Sequence, residues 1–402
     1  MTFNKHPDFL IIGAGIVGLT TALEIKKQFP DATVSIVEKE KQSGIHASGR
    51  NSGVLHAGFY YTADSLKARL CREGNLAWRQ YCEENNLIVN QCGKLVVARN
   101  IEELKGLDEL ARRAEANNVE LKMISATEAI EIESQAYTFE RALWSPTTAT
   151  VNPKEIVGSV QNKIQSKGIS IFHDTAYIKR SGDKVITSNG SYRPGYLVNT
   201  AGLYADKIAL DYGFSQDYKI LPFKGLYLYA KDDGLKLKTN IYPVPDLRNP
   251  FLGVHFTVTA ENKTKIGPTA IPAFWRENYT GWGNFNLEEL VDIVGINASL
   301  FLTNNFDFRK LVFKEMQKYS KKKLVRLAGT LLNSIEQNDF NKWGSPGIRA
   351  QLINTKTKKL EMDFKYEGDD KSFHVLNAVS PAFTCALPFS KLLTSEINSK
   401  IN

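Results

Sequence analysis

The sequence is poor in cysteine and contains no long hydrophobic segment, and both absences restrict the classes of protein to consider. Its four cysteines, in a chain of 402 residues, have no CxxC or other metal-ligand spacing, so we expect free thiols and no metal site. The longest apolar runs, such as Phe9–Ile12 and Ile16–Leu19, are far shorter than the roughly 20 residues that cross a membrane. The first residues lack the features of a signal peptide, and we expect a cytoplasmic protein.

Internal repeats and low-complexity segments are also absent, and the composition is that of an ordinary globular protein. Apolar residues make up 43% and charged residues 23% of a chain long enough for two or three domains. The net charge of +8 favours anionic partners such as acidic substrates or a phosphate-bearing cofactor. We expect no nucleic-acid partner, because no basic stretch is interleaved with aromatic residues.

The segment 8–39 has the pattern of a strand, a turn, a helix and a second strand. Phe9–Ile12 is a continuous apolar run, as expected of a strand buried on both faces. Ile16–Phe29 carries apolar residues at helical spacing, and Thr33–Val37 is rich in β-branched residues. This order is typical of the first half of a dinucleotide-binding domain.

The turn before the helix reads Gly13-Ala14-Gly15-Ile16-Val17-Gly18. The first glycine permits a tight turn, the second lets the backbone approach a pyrophosphate, and the third lets helix and strand pack closely. The helix N-terminus offers N–H groups to the phosphates. Glu38, at the end of the second strand, is predicted to accept hydrogen bonds from ribose hydroxyls, with Lys39 beside it. The turn alone does not distinguish FAD from NAD.

The remainder of the chain is predicted to change from helices to antiparallel strands and back to an α/β pattern. Segments 62–86 and 100–118 look helical, and 290–323 reads as one long basic helix. Short strands are predicted at 227–230, 252–258 and 264–266, with polar turns between them. Alternation of strands and helices at the two ends, with antiparallel strands between, predicts two interleaved domains.

Five blocks distributed along the chain resemble one family of flavoproteins. They are His46–Tyr61, Asn240–Asp246, Pro250–Thr257, Gly347–Gln351 and His374–Ala382. Together they are similar to the L-2-hydroxyglutarate dehydrogenase/oxidase family, within the D-amino-acid-oxidase-like FAD-dependent oxidoreductases.

The resemblance implies an α/β fold, α+β overall, with a Rossmann-type FAD-binding domain and an interleaved antiparallel-sheet substrate domain. We predict that residues 1–90, 150–215 and 340–402 form the discontinuous FAD domain. Residues 91–149 and 216–339 are then predicted to form the substrate domain.

The same resemblance assigns further residues to non-covalently bound FAD. In the family, the loop after the second strand contacts the pyrophosphate and the flavin, and an arginine suits a phosphate through its fork of donors. The strand ending at Ala201-Gly202 looks like a second FAD signature, and Ser380–Thr384 is predicted to begin the last helix beneath the flavin. Besides the glycine turn, the predicted cofactor residues are Glu38, Lys39, Ser48, Gly49, Arg50, Asn51, Ser52, Gly53, Tyr177, Ala201, Gly202, Ser380, Pro381, Ala382, Phe383 and Thr384.

The implied reaction is oxidation of L-2-hydroxyglutarate to 2-oxoglutarate by hydride transfer to the flavin, which requires a base for the hydroxyl proton. Histidine is the natural base near neutral pH. Strand alternation places His255 on the small, polar face of an otherwise apolar strand, and the resemblance favours it. His56 is the second candidate, and for both the alternative is a structural histidine.

Cations are needed to fix the carboxylates of such a substrate. In the wider superfamily, the arginine of a Gly-x-Arg segment before the last FAD block binds the carboxylate, which points to Arg349. The second anchor is sought among Lys224, Arg276, Tyr60 and Tyr61.

Three questions stay open from the sequence. The same fold acts on amino acids, amines or glycerol 3-phosphate, and a basic FAD-containing RNA-binding protein is the alternative from another class. The electron acceptor is oxygen, a quinone or a carrier. The basic stretch 290–323 is either a solvated helix or a peripheral contact with the inner face of a membrane.

Overall fold

The computed structural model describes residues 5–246 and 251–402, and secondary-structure elements are numbered here in chain order within these ranges. The strands are β1 Phe9–Ile12, β2 Val34–Val37, β3 Val54–Leu55, β4 Val89–Asn90, β5 Lys94–Val97, β6 Lys122–Ser125, β7 Arg141–Ser145, β8 Ala149–Val151, β9 Ser170–Phe172, β10 Tyr177–Ser181, β11 Lys184–Thr187, β12 Gly190–Tyr192, β13 Tyr196–Asn199, β14 Tyr218–Gly225, β15 Leu228–Ala230, β16 Asn240–Pro243, β17 His255–Val258, β18 Thr264–Gly267, β19 Ile271–Pro272, β20 Phe340–Trp343, β21 Gly347–Asn354, β22 Lys365–Gly368 and β23 Ser372–Asn377. The helices are α1 Ile16–Gln28, α2 Leu66–Glu84, α3 Ile101–Ala116, α4 Ala126–Ile132, α5 Pro153–Ser166, α6 Ala205–Leu210, α7 Leu287–Thr303, α8 Phe308–Met316, α9 Lys321–Gly329 and α10 Ala382–Ile401.

The chain divides into two compact units, each built from separated segments. Unit 1 comprises Met1–Asn51, Pro153–Pro222 and Arg349–Asn402, and unit 2 comprises Ser52–Asn152 and Phe223–Ile348. The predicted FAD domain includes residues 1–90 as its first segment. The segment 52–90 belongs to unit 2 because β3 and β4 both pair with β8.

Unit 1 is organised around a six-stranded sheet in the order β22-β23-β13-β1-β2-β9. Its inner strands are parallel, and only β22 runs antiparallel to its neighbour. All four residues of β1, of β2 and of β13 are buried, as expected of a parallel sheet covered on both faces. The carboxyl ends of these three strands meet at one edge of the sheet, where Ile12 is in register with Val37 and with Asn199.

Unit 2 contains an eight-stranded sheet in the order β20-β15-β18-β17-β16-β5-β7-β6. The pair β5–β16 is parallel, whereas the other pairs are antiparallel. Side chains alternate between its two faces. Leu95, Ile241, Phe256 and Ile266 belong to an apolar core on one face, together with residues of α9. The intervening residues face the other way.

The basic stretch 290–323 is not one helix, as the sequence analysis predicted, but three helices within 287–329. The first break falls where Asn304, Phe306 and Asp307 adopt left-handed backbone conformations, with φ of 49°, 48° and 56°. An α-helix cannot continue through such residues. The predicted strand 252–258 is also shorter, since β17 begins at His255, and Pro250 lies outside the described residues.

Candidate active site

The glycine turn of unit 1 joins β1 to α1 as predicted, and its first and third glycines have no room for a side chain. Gly13 has a φ of 99°, and a Cβ there would lie 2.8 Å from the carbonyl oxygen of Thr200. A Cβ on Gly18 would lie 2.1 Å from the carbonyl oxygen of Gly13. The helix therefore packs directly on the turn, and this contact places the N-terminus of α1 at the carboxyl edge of the sheet.

Two polar side chains of unit 1 bind the backbone of this turn. Glu38, which is buried, accepts a hydrogen bond from the Ala14 N–H at 2.7 Å. Ser48 Oγ accepts one from the Ile16 N–H at 2.8 Å. Both residues were predicted to contact the cofactor, and both lie at the turn that would hold its phosphates.

The other predicted residues of this loop lie between residues 39 and 53. Lys39 pairs with Glu40 at 2.5 Å, and the Arg50 Nε donates to the Ile45 carbonyl at 2.7 Å. Asn51 Nδ2 donates to the carbonyl oxygens of the short 3-10 helix Ala47–Gly49, which includes Ser48 and Gly49. Ser52 and Gly53 begin unit 2, where the Gly53 carbonyl accepts from the Val151 N–H at 2.9 Å.

The third strand of this edge, β13, leads into Ala201 and Gly202. Gly202 has a φ of 54°, and a Cβ there would meet no heavy atom within 4 Å, so the space beside it is open. Tyr177 lies on β10, where its hydroxyl donates to Asp211 at 2.7 Å, and burial raises the pKa of its phenol strongly. That hydrogen bond gives Tyr177 a structural partner within unit 1.

The last helix begins where the sequence analysis placed it. Pro381 caps α10, so that Ala382, Phe383 and Thr384 form its first turn, after the exposed Ser380. Cys385 N–H donates to the Pro381 carbonyl at 3.0 Å, which closes the first turn. Arg349 lies half-buried on β21 of the same unit.

His255 lies on the face of the unit 2 sheet opposite the apolar core, as strand alternation predicted. It is buried and stacks on Tyr242 of the adjacent strand, with ring centroids 3.6 Å apart and planes 18° apart. Its Nδ1 lies 3.0 Å from the carbonyl oxygen of Gly253. Because a carbonyl only accepts, Nδ1 carries the proton and Nε2 is the basic nitrogen.

Lys94, on β5 of the same face, was missed by the sequence analysis. It has no exposed surface, and its Nζ has no hydrogen-bond partner within residues 5–246 and 251–402. Its Nζ lies 4.3 Å from the ring centroid of Tyr242, 5.0 Å from that of Tyr60 and 5.4 Å from that of Phe59. Burial lowers the pKa of its ammonium to about 7.

His56 and Tyr60, both predicted site residues, lie close to this lysine. Burial, and secondarily the charge of Lys94, lowers the pKa of His56 well below its ordinary value. Burial likewise raises the pKa of Tyr60 strongly. Unit 2 therefore places His255, His56 and Tyr60 around the pair formed by Tyr242 and Lys94, and no carboxylate appears among these side chains.

Lys265 is a second buried lysine on this face, and the sequence analysis also missed it. Its Nζ donates to the Ser52 carbonyl at 3.1 Å and lies 4.6 Å from the ring centroid of Tyr227. Burial lowers the pKa of this ammonium to about 8. The sequence does carry a signal for both buried lysines. Each is the single charged residue of a short apolar run that reads as a strand, Lys94–Val97 and Thr264–Gly267.

The remaining substrate candidates make other contacts in unit 2. Lys224 Nζ donates to Asn278 Oδ1 at 3.1 Å, and Arg276 lies 4.0 Å from Glu289 with both side chains buried. The Tyr61 carbonyl accepts from Asn117 at 3.0 Å. Neither Lys224 nor Arg276 is among the residues that surround Tyr242.

Comparison with known proteins identifies the family of this chain. The model of the family described as FAD dependent oxidoreductase (DAO) matches residues 8–387. The chain belongs to this family. The enzyme is thus an FAD-dependent oxidoreductase, and the α/β fold and the FAD cofactor expected from its sequence are confirmed.

Relatives of this oxidoreductase match over nearly the whole chain. The L-2-hydroxyglutarate dehydrogenase of Escherichia coli K12 is 31% identical over 98% of this chain and 93% of the relative. The enzyme of that name from Indibacter alkaliphilus is 36% identical, over 94% of this chain and 95% of the relative. The mitochondrial L-2-hydroxyglutarate dehydrogenase of Mus musculus is 34% identical over 97% and 88%.

Solved structures show the same fold at lower identity. The dithionite-reduced L-alpha-glycerophosphate oxidase from Mycoplasma pneumoniae with FAD bound superposes with a TM-score of 0.78. It is 21% identical and covers 98% of this chain and 95% of its own. Glycine oxidase from Geobacillus kaustophilus gives a TM-score of 0.70 at 17% identity, with the same coverage.

The residues of unit 1 fit an FAD at the carboxyl edge of the six-stranded sheet. Gly15 caps α1 without a side chain, so the backbone at the helix N-terminus can approach a pyrophosphate. The open space beside Gly202 is at the end of β13, on the same edge. Glu38 directly follows β2, which borders β1, at the position from which ribose is bound in dinucleotide folds. In the part of the chain that the structure describes, no helix has the length and apolarity to cross a membrane.

Proposed function

We propose that this oxidoreductase converts L-2-hydroxyglutarate to 2-oxoglutarate. The observation that carries the proposal is the near full-length similarity to L-2-hydroxyglutarate dehydrogenases from bacteria and an animal, at 31–36% identity. The unit 2 sheet supports it, because one face combines a histidine base with two buried lysines. An excess of buried positive charge suits a substrate with two carboxylates.

The proposed role of His255 is to accept the proton of the substrate hydroxyl. Its Nδ1–H is held by the Gly253 carbonyl, which leaves Nε2 as the acceptor, and its ring is fixed by the stack on Tyr242. When bound, FAD supplies the oxidant that takes the α-hydrogen with its two electrons. As the proton moves to Nε2 the C–O bond becomes a carbonyl, and the product is a 2-oxo acid.

One proposed substrate anchor is Arg349, which lies on β21. Arg349 remains the predicted partner of one carboxylate, because its guanidinium can bind it through two parallel hydrogen bonds. Residues that hold the cofactor are proposed to be the glycine turn, Glu38, the loop around Ser48 and the first turn of α10.

Anaerobic mixing with candidate substrates tests this function. The purified holoenzyme is mixed with L-2-hydroxyglutarate, D-2-hydroxyglutarate, L-lactate, glycine and glycerol 3-phosphate, and the absorbance of oxidised flavin is followed. We expect rapid bleaching by L-2-hydroxyglutarate alone. Bleaching by glycine or glycerol 3-phosphate instead would assign the protein to another substrate of the same fold. An RNA-binding role is tested by a salt-sensitive mobility shift, which we expect to be absent.

We further propose that residues 290–323 contact an anionic membrane surface, through which electrons reach a quinone. Helix α7 exposes Leu287, Val291, Val294 and Leu302, which recur at helical spacing, and their side chains are 42–75% exposed. Arg309, Lys310 and Lys314 follow on α8, close in sequence to the exposed Phe313. Apolar residues combined with basic ones are typical of helices that lie on an anionic bilayer.

Co-sedimentation with vesicles that contain phosphatidylglycerol tests this contact. We expect the protein to pellet with anionic vesicles and to be released by Val291→Glu combined with Leu302→Glu. Ile101→Glu changes an equally exposed residue of α3 and is the matched control. A wild-type protein that stays in the supernatant would refute the membrane contact and leave oxygen or a carrier as acceptor.

A further inference from the structure

Lys94 is the most unusual side chain outside the roles assigned so far. Its ammonium is fully buried in unit 2, has no hydrogen-bond partner within the described ranges and is surrounded by aromatic rings. Removing an ammonium from water without a counter-ion costs more free energy than contacts with ring faces return. A protein keeps such a group where the charge has a use, and strongly perturbed lysines are concentrated at functional sites.

Two hydroxyl groups near Lys94 also lack a partner in the structure. The phenol oxygens of Tyr60 and Tyr242 are buried, and neither makes a hydrogen bond within the described residues. Buried hydroxyls nearly always find a hydrogen-bond partner, so each of these is an available donor. Lys94 and Tyr60 are therefore neighbouring side chains whose donors are unsatisfied, and such donors favour binding of an anion.

We propose that Lys94 is the cation of a carboxylate subsite, in which its ammonium and the Tyr60 hydroxyl bind one carboxylate of the substrate. This inference rests on the proposed function, because it names the second anchor that a dicarboxylate needs. Lys224 and Arg276 are poorer choices, because each already binds a polar partner. By contrast, the donors of Tyr60 and Lys94 have no hydrogen-bond partner among the described residues. Lys94 also contacts the ring of Tyr242, on which His255 stacks.

Because Lys94 is fully buried, a carboxylate reaches its ammonium only if a neighbouring side chain moves. Lys94 and Tyr242 lie on adjacent strands of the sheet, whereas Tyr60 belongs to the irregular segment between β3 and α2. We infer that the Tyr60 phenol is the group that moves, so that a carboxylate accepts hydrogen bonds from its hydroxyl and from Nζ. The bound carboxylate would then neutralise the ammonium, which makes binding and charge compensation a single event.

Calorimetric binding of 2-oxoglutarate to the oxidised holoenzyme tests the subsite without turnover. In Lys94→Met, which keeps the volume but removes the charge, we expect the Kd to rise about 100-fold. In Tyr60→Phe, which keeps the ring, we expect a rise of about 10-fold. Lys122→Met removes the same charge from an exposed site on β6 of the same sheet, and its Kd should equal that of the wild type.

Thermal unfolding separates this role from a structural one. If Lys94 only supported the fold, its removal would destabilise the protein. If it is an uncompensated buried ammonium, Lys94→Met should be as stable as the wild type or more stable.

Proton release or uptake gives a second readout. Because the Lys94 ammonium has its pKa near 7, binding of an anion at pH 8 should take up protons in the wild type and fewer in Lys94→Met.

The titratable groups around this ammonium are His56, Cys71, Cys92, Tyr60 and Tyr242, and they are present in both proteins. The difference in proton uptake therefore reports on Lys94. A Kd in Lys94→Met within threefold of the wild type would overturn the subsite and leave the proposed function intact. A wild type that neither binds 2-oxoglutarate nor is reduced by L-2-hydroxyglutarate would overturn both.

Discussion

The imidazole of His255 lies flat against the phenol ring of Tyr242, with 3.6 Å between the ring centroids. The two residues are neighbours on adjacent antiparallel strands, since Ile241 is in register with Phe256. The ammonium of Lys94 lies 4.3 Å from the centroid of the same phenol ring. One tyrosine thus fixes both the proposed base and the proposed carboxylate anchor.

Replacement of His255 by asparagine should slow the reaction without unloading the cofactor. Asparagine keeps an N–H that can donate to the Gly253 carbonyl but has no basic nitrogen, so kcat/KM for L-2-hydroxyglutarate should fall about 10³-fold. The measurement is the rate of anaerobic flavin reduction, with FAD content and 2-oxoglutarate affinity as controls. Retained activity would show that His255 is not the base that accepts the hydroxyl proton.

Replacement of Gly18 by alanine should disrupt the cofactor turn. The new Cβ would lie 2.1 Å from the Gly13 carbonyl oxygen and 2.6 Å from Thr200 Oγ1, so backbone must shift at a cost of about 1 to 3 kcal/mol. We expect a lower melting temperature and a lower ratio of flavin to protein absorbance.

Gly158→Ala is the matched control for this substitution. Gly158 is exposed on α5, and a Cβ there would meet nothing within 4 Å. Alanine is the better helix former by about 1 kcal/mol, so this variant should be slightly more stable and fully loaded with FAD. Equal loss of flavin in both variants would show that α1 packing does not govern cofactor retention.

The sequence specified unit 1 more completely than unit 2, and the reason is the range of the interactions. β1 has the predicted bounds because strands of a buried parallel sheet are continuous apolar runs that can be read locally. Gly18 and Glu38 could be placed because the glycine turn dictates its own geometry. His255 could be placed on the correct face because alternation needs only the strand itself.

Lys94 could not be found in this way, because its burial depends on contacts with distant parts of the chain. A lysine at one end of a short strand is usually exposed, and only the parallel pairing of β5 with β16 puts it beside Tyr242. The break between α7 and α8 was missed for a similar reason. Phe306 adopts a left-handed conformation that its residue type disfavours, and tertiary contacts outweigh local propensity there.

Stability should fall in mild acid because of His374. This imidazole is buried on β23 and binds Asn199 and Ser372, and burial lowers its pKa to about 4. Since the folded pKa lies below the unfolded value, the stabilisation is fully present above about pH 6.5 and is lost as pH falls towards 4, by about 3 kcal/mol. Chemical denaturation between pH 4 and 7 measures this slope, which His374→Gln should reduce. An unchanged slope would assign the acid sensitivity to other groups.

Removal of the buried Lys318 should destabilise the protein, in contrast to removal of Lys94. Lys318 forms a buried ion pair with Glu315, whose carboxylate also accepts a hydrogen bond from the Ala270 N–H at 2.6 Å. Lys318→Met leaves this carboxylate buried and unpaired, at a cost of about 3 to 5 kcal/mol, whereas Lys94→Met leaves no unpaired partner. The measurement is the melting temperature of the two variants side by side.

The double variant Lys318→Met with Glu315→Gln isolates the cause of this loss. Glutamine is neutral and keeps an oxygen that can accept from the Ala270 N–H, so most of the lost stability should return. If the double variant were as unstable as Lys318→Met, the loss would reflect packing of the lysine stem rather than an uncompensated charge. Stability that increases in Lys94→Met and decreases in Lys318→Met would then separate a lysine kept for binding from one kept for the fold, since both are fully buried.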